Sequence, residues 1–123
     1  KAWLKALEPL GTDEHKPYLE TAPYLIVIFQ RNYEIDDLGK HIKQYYVAES
    51  VGIAARILLT ALHHAGLATL IHTPNRMGFL RNLLGRPENE RAVMMVVAGY
   101  PAKGVKVPNI ERKPLNEISV FVD

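Results

Sequence analysis

The chain sorts its apolar positions into short runs separated by polar punctuation. Residues 2–8, "AWLKALE", carry apolar side chains at positions 3, 4 and 7, the spacing of a short amphipathic helix that Pro9 and Gly11 terminate. A charged loop, "TDEHKP", follows, and then "YLETAP". Residues 24–29, "YLIVIF", are aromatic and β-branched with no polar alternation. Their length predicts a strand, and the missing alternation predicts burial on both faces. "QRNYEIDDLGKHIKQ" is polar without a clean period, which predicts a loop with room for a helical turn.

Residues 44–65 give the strongest pattern. Val47, Val51, Ala54, Ala55, Leu58, Leu59 and Leu62 keep helical spacing, and Gly66 stands where a helix cap belongs. Ile53, Ile57 and Ala61 widen that stripe until the helix is apolar nearly all round, the mark of an element buried on several sides, in the core or at a subunit interface. "LATLI" reads as a second buried strand, and "NRMGFLRNLLG" as a short helix ending at Gly85. "AVMMVVAGY", residues 92–100, reads as a third buried strand stopped by Pro101. The tail from Ala102 carries prolines at 108 and 114 with charges between them, so no compact helix is expected there. It ends in the strand-like "ISVFV" and either wraps its own domain or pairs with another chain's sheet edge. Buried strands alternating with helices give an α/β or α+β sandwich.

Composition narrows the classes. With 123 residues, 48% of them hydrophobic and 23% charged, the chain matches a soluble globular domain large enough for a core. The net charge is +2 with scattered basic residues, so no nucleic-acid partner is expected. The absence of cysteine excludes disulfides and thiolate metal sites, and fits a reducing compartment; a cytoplasmic protein is expected. The longest apolar stretch, residues 24–29, is far too short to span a bilayer. The chain starts at Lys1 in what reads as a helix already in progress, which predicts a fragment or a processed chain.

Several kinds of chemistry lack their motifs. There is no G-x-G-x-x-G after a strand, no G-x-x-x-x-G-K-[ST], no H-E-x-x-H and no G-x-S-x-G. His63 and His64 are adjacent on a helix, where side chains diverge by about 100°, so the pair reads as two imidazoles near a helix C-terminus and no metal site is expected. His15 and His41 read as solvated loop residues. Two features remain. In "LIHTPNR" an apolar run stops at His72-Thr73-Pro74, so that a ring nitrogen and a hydroxyl end a buried strand. This is either an ordinary strand-to-loop exit or a ligand site of the kind α/β sheets place at strand C-termini. In "ERKP", Arg112 sits in a proline-stiffened tail, either as a solvated charge or as a fork of donors for a phosphate.

Taken in order, "KPYLETAPYLIVIF", "YYVAESVGIAARILLTALHHAGLATLIHTP", "LLGRPENERAVMMVVAGYPAK" and "VPNIERKPLNEI" closely resemble the rear part of iodotyrosine deiodinases, a branch of the flavin-dependent nitroreductase superfamily. The resemblance runs from about Lys16 to the C-terminus; its most specific pieces are the tyrosine pair opening the long helix, "LLGRP", "GYP" and "RKPL". It implies an α+β fold: a nitroreductase-like α/β sandwich with a mixed, mainly antiparallel sheet and flanking helices. Residues 1–123 would then be the C-terminal part of one such domain. The resemblance further implies an intertwined homodimer, with residues 45–65 at the interface, residues 118–122 added to the partner's sheet, and FMN held without a covalent bond between subunits.

Residue by residue, the resemblance aligns Ile71, His72 and Thr73 with the family's segment along the flavin, with the Thr73 hydroxyl approaching N5. Animal enzymes are Thr-rich at this triplet, where this chain has Ile-His-Thr. Arg112 matches the tail arginine that reaches the FMN phosphate, and Lys16 the lid lysine that meets the carboxylate of a halotyrosine. The family's basic phosphate-binding motif and the lid glutamate and tyrosine lie upstream of this chain, which alone is expected to bind FMN poorly. The implied activity is FMN-dependent reductive dehalogenation of halotyrosines, with NAD(P)H or a reductase as electron donor. The alternatives are a general NAD(P)H-dependent nitroreductase or quinone reductase acting on nitroaromatics, and a non-catalytic dimerisation module.

Overall fold

A strand must give both of its edges to hydrogen-bond partners or to water, and one strand of this chain uses both. The computed structural model describes residues 2–122, apart from the side chain of Trp3. Its elements are α1 (Ala2–Leu7), α2 (Tyr18–Thr21), β1 (Tyr24–Arg31), β2 (Tyr33–Ile35), β3 (His41–Lys43), α3 (Val47–His64), β4 (Ala68–His72), α4 (Phe79–Leu83), β5 (Glu90–Gly99) and α5 (Leu115–Ile118). The main sheet has the order β1-β5-β4, with both pairings antiparallel. This is an α+β arrangement. The residues fall into two compact units, one of them Pro17–Pro101, the other joining the chain up to Lys16 with the chain from Ala102 onward.

Within Pro17–Pro101, the core lies on β5. Met95, Val96, Val97 and Ala98 are all buried, and Val96 is wholly shut off from water. Successive strand residues point to opposite faces, so β5 is covered on both. On one face Ala92, Met95 and Leu80 of α4 pack with Leu19, Val27, Phe29 and Met77. Ala92 and Met95 share that face, although three residues apart, because a bulge interrupts the ladder. Ile28 opposes Met94 while Phe29 opposes Ala92, leaving Val93 as the extra residue.

The long helix forms where its pattern placed it. Gly66, at φ 80°, closes it, with its N–H donating to His63 and that of Leu67 donating to Leu62. These two bonds satisfy carbonyls that the helix end would otherwise leave open. Its start is less regular: Tyr46 takes a left-handed φ of 54° at the N-cap, a conformation that costs an L-residue on the order of 1 kcal/mol.

Three expectations are corrected. First, β1 is not buried on both faces; it is an edge strand, and Tyr24 and Leu25 are 65% and 43% exposed. Leu25 opens on a cavity of about 780 Å³ between β1 and α4, lined also by Val27, Phe29, Phe79 and Leu83. β4, the other edge, is likewise half open at Leu70 and Ile71. Second, the polar stretch after β1 is a hairpin, β2 with β3, rather than a loop. Asp36 Oδ1 accepts from the N–H groups of Leu38 and Lys40, and Gly39 takes φ 78°, so the turn rests on local side-chain chemistry. His41 consequently lies in a strand, stacked on Tyr33 with 4.2 Å between ring centres. Third, the tail contains one helical turn, α5, and residues 119–122 form no strand among the described residues.

One buried charge ties the sheet's end together. Glu90 is only 5% exposed. Arg86 donates to it twice, Nε to Oε2 at 2.8 Å and Nη2 to Oε1 at 3.0 Å, and Arg31, its cross-strand partner, donates to Oε1 at 3.4 Å. The Arg86 hydrogen bonds, helped by Arg31, hold the Glu90 carboxyl below the ordinary carboxylate range.

Two outcomes follow. A Cβ built on Gly99 would sit 2.8 Å from Pro23 Cδ, so Gly99→Ala should lower stability by about 1–3 kcal/mol, read as the urea midpoint. Because the folded pKa of Glu90 is depressed, its contribution is present above the unfolded value of 4.5 and lost as pH falls through the folded value. Glu90→Gln should lower the urea midpoint at neutral pH and flatten the acid side of the stability profile; an unchanged profile would show that the carboxylate is not held by its arginines.

Candidate active site

The segment His72-Thr73-Pro74 lies at the end of β4. The ladder to β5 closes at His72 opposite Met95, so Thr73 is the first residue beyond it. Pro74 biases the residue before it toward an extended backbone, which continues the alternation of the strand. Ile71 and Thr73 therefore share one face and His72 takes the other. Ile71 is half exposed and Thr73 exposed. An apolar side chain and a hydroxyl on one open face suit a flat, partly polar ring.

His72 is held from behind. The Tyr18 hydroxyl lies 3.4 Å from its Nδ1, and the two rings meet edge to face at 6.0 Å and 78°. Tyr18 belongs to α2, a single turn whose Leu19 enters the core cluster on β5. Partial burial pushes the Tyr18 phenol above its ordinary value, so its hydroxyl keeps its proton under ordinary conditions. Nothing in the sequence links Tyr18 to His72; they are 54 residues apart, and only the packing of α2 on the sheet brings them together.

Lys16 and Arg112 belong to the other compact unit. Lys16 is half-buried and donates from Nζ to Thr12 Oγ1 at 2.9 Å, so the loop already holds the expected lid lysine. Arg112 is exposed in the extended segment before α5, its guanidinium accessible to an anion. Close by in sequence to Lys16, Asp13, Glu14 and His15 present ligand atoms within 4.8 Å of one another, all exposed, with His15 Nδ1 3.7 Å from Asp13. The rings of His63 and His64 meet edge to face, with 6.4 Å between their centres and 62° between their planes. No helix among the described residues is long and apolar enough to cross a membrane.

Residues 5–100 match the model of the nitroreductase family, and the chain belongs to that family. Iodotyrosine deiodinases are among its curated relatives. It is 56% identical over 111 residues to the iodotyrosine deiodinase of Haliscomenobacter hydrossis, covering 90% of this chain and 50% of that protein. It is 48% identical over 120 residues to that of Drosophila melanogaster, covering 96% and 42%, and 46% identical over 121 residues to human iodotyrosine deiodinase 1, covering 98% and 42%. The chain thus spans about half the length of the curated relatives it matches. Among solved structures, an oxidized iodotyrosine deiodinase bound to FMN and 3-iodo-L-tyrosine superposes with a TM-score of 0.67 at 27% identity, over all of this chain and 56% of that one. An FMN-containing oxidoreductase, with a TM-score of 0.70 at 15% identity over 87% of this chain and 65% of that one, shows the same fold.

The raised phenol can be checked directly. Ultraviolet titration of the six tyrosines should contain a component ionising above the ordinary 10.0, and Tyr18→Phe should remove it. A titration that the substitution leaves unaltered at its alkaline end would show Tyr18 to be fully solvated.

Proposed function

We propose that the complete protein carrying this chain is an FMN-dependent reductive dehalogenase of halotyrosines. The observation that carries this reading is the likeness, over the whole chain, to a deiodinase solved with FMN and 3-iodo-L-tyrosine. The residues present fit the cofactor: an exposed hydroxyl and an apolar side chain share one face at the end of β4, and an accessible guanidinium stands in the tail. FMN, when bound, supplies the two electrons that, with one proton, replace the ring halogen by hydrogen and release halide.

In this proposal Ile71 and His72 line the flavin with their backbone, and Thr73 holds its hydroxyl proton at N5. Arg112 offers its planar fork of donors to the FMN phosphate. Lys16 leaves Thr12 to meet the carboxylate of the halotyrosine, an opposite charge placed where a zwitterion needs one. The protein acts in the cytoplasm as a homodimer and takes electrons from NAD(P)H or a reductase. The exposed apolar face of α3, with Ile53 and Ile57 each about two-thirds exposed, supports an interface there, and residues 118–122 supply a strand to the partner's sheet. The upstream half supplies the basic phosphate motif and the remaining lid residues, so residues 1–123 are the C-terminal part of one domain.

The test is an absorbance titration of the complete protein. A flavin spectrum perturbed by iodotyrosine is expected. A flavin spectrum indifferent to iodotyrosine, with turnover of nitroaromatics or quinones, would instead mark a general nitroreductase, and a protein that takes up no FMN would refute the flavin assignment. Arg112→Ala should weaken FMN binding by roughly ten-fold or more, as loss of a charge-assisted hydrogen bond does; unchanged affinity would sink its role at the phosphate.

A further inference from the structure

Thr73 lies beyond the last rung of the β4–β5 ladder, so no ladder bond fixes its backbone, and with it the direction in which its side chain leaves the chain. Pro74 restrains the backbone after it. The restraint before it is His72, whose side chain points to the opposite face and so cannot reach what Thr73 reaches. That side chain is gripped by Tyr18 through the hydroxyl at 3.4 Å and the edge-to-face ring contact. Both residues belong to the compact unit Pro17–Pro101. The neighbouring Leu19 seats α2 in the core cluster with Met95, the residue paired with His72 across the ladder. The grip is therefore anchored to the same strand that carries the end of β4.

We propose that Tyr18 is a positioning residue: through His72 it sets the backbone at the end of β4, and with it the direction in which Thr73 presents its hydroxyl. This rests on the reading of Thr73 as the residue that faces flavin N5. The hydroxyl contact, at 3.4 Å, is longer than an ordinary hydrogen bond, and the edge-to-face ring contact accompanies it. Tyr18 touches neither cofactor nor substrate in this account, so it acts on the flavin only by way of Thr73.

The experiment uses the complete FMN-loaded protein and reads the two one-electron reduction potentials of the bound flavin together with the FMN dissociation constant. Thr73→Ala should lower the first potential relative to the second. Tyr18→Phe, which keeps the ring and removes only the hydroxyl, should shift the pair in the same direction with FMN affinity held within about two-fold. His72→Ala should shift the potentials in the same direction, and His72→Asn, whose amide can occupy the place of Nδ1, should restore most of that shift. In the Thr73→Ala background, Tyr18→Phe should add nothing, since residues acting through one another are not additive.

Potentials unmoved by Tyr18→Phe but moved by Thr73→Ala would overturn the positioning role and leave the flavin assignment standing. An equal, additive shift in both backgrounds would also overturn it, because Tyr18 would then act by another route. Potentials unmoved by Thr73→Ala would overturn the assignment of Thr73 itself, and the positioning role with it.

Discussion

The double ladder on β5 is the constraint on which the compact unit Pro17–Pro101 depends. A strand hydrogen-bonded along both edges and covered on both faces has no freedom left in its register, and β5 is such a strand along Met95, Val96, Val97 and Ala98. Everything chemical in that unit is measured from it. The end of β4 is where it is because His72 pairs with Met95. The turn α2 is where it is because Leu19 packs in the cluster that Met95 anchors. Glu90, the first residue of β5, gathers Arg86 and Arg31 around one buried carboxylate and so fixes the far end of the sheet.

What surrounds this strand is less complete. β1 and β4 are edges with half-open faces, a cavity of about 780 Å³ separates β1 from α4, and α3 turns Ile53 and Ile57 to solvent. Val120, Phe121 and Val122 are more than 80% exposed. Apolar surface on this scale marks interaction sites. It accords with a chain that spans about half the length of its relatives and with the proposed dimer.

The sequence made legible whatever depended on period and punctuation. The long helix, its glycine cap, and the helix closed by Gly85 carried strong local signals, and the three strands were visible as apolar runs. Edge and centre were not distinguishable, because "YLIVIF" and "AVMMVV" look alike until pairing decides which is flanked. The hairpin was missed because Tyr33, Ile35 and Ile42 alternate over too few residues; the usable sign was the Asp36–Gly39 spacing of a turn. At the site, Thr73 and Pro74 stood out at a strand exit, whereas Tyr18 was invisible, since its meeting with His72 is a product of packing alone. The bond from Lys16 to Thr12, four residues away, was likewise not signalled by any motif.

The central claim is that the end of β4 presents Thr73 to a flavin. The most direct measurement is the crystal structure of the complete protein with FMN. The account predicts the Thr73 hydroxyl within hydrogen-bond distance of flavin N5, with His72 turned away from the ring and toward Tyr18. A flavin bound elsewhere, or one whose N5 meets a different residue, would contradict it.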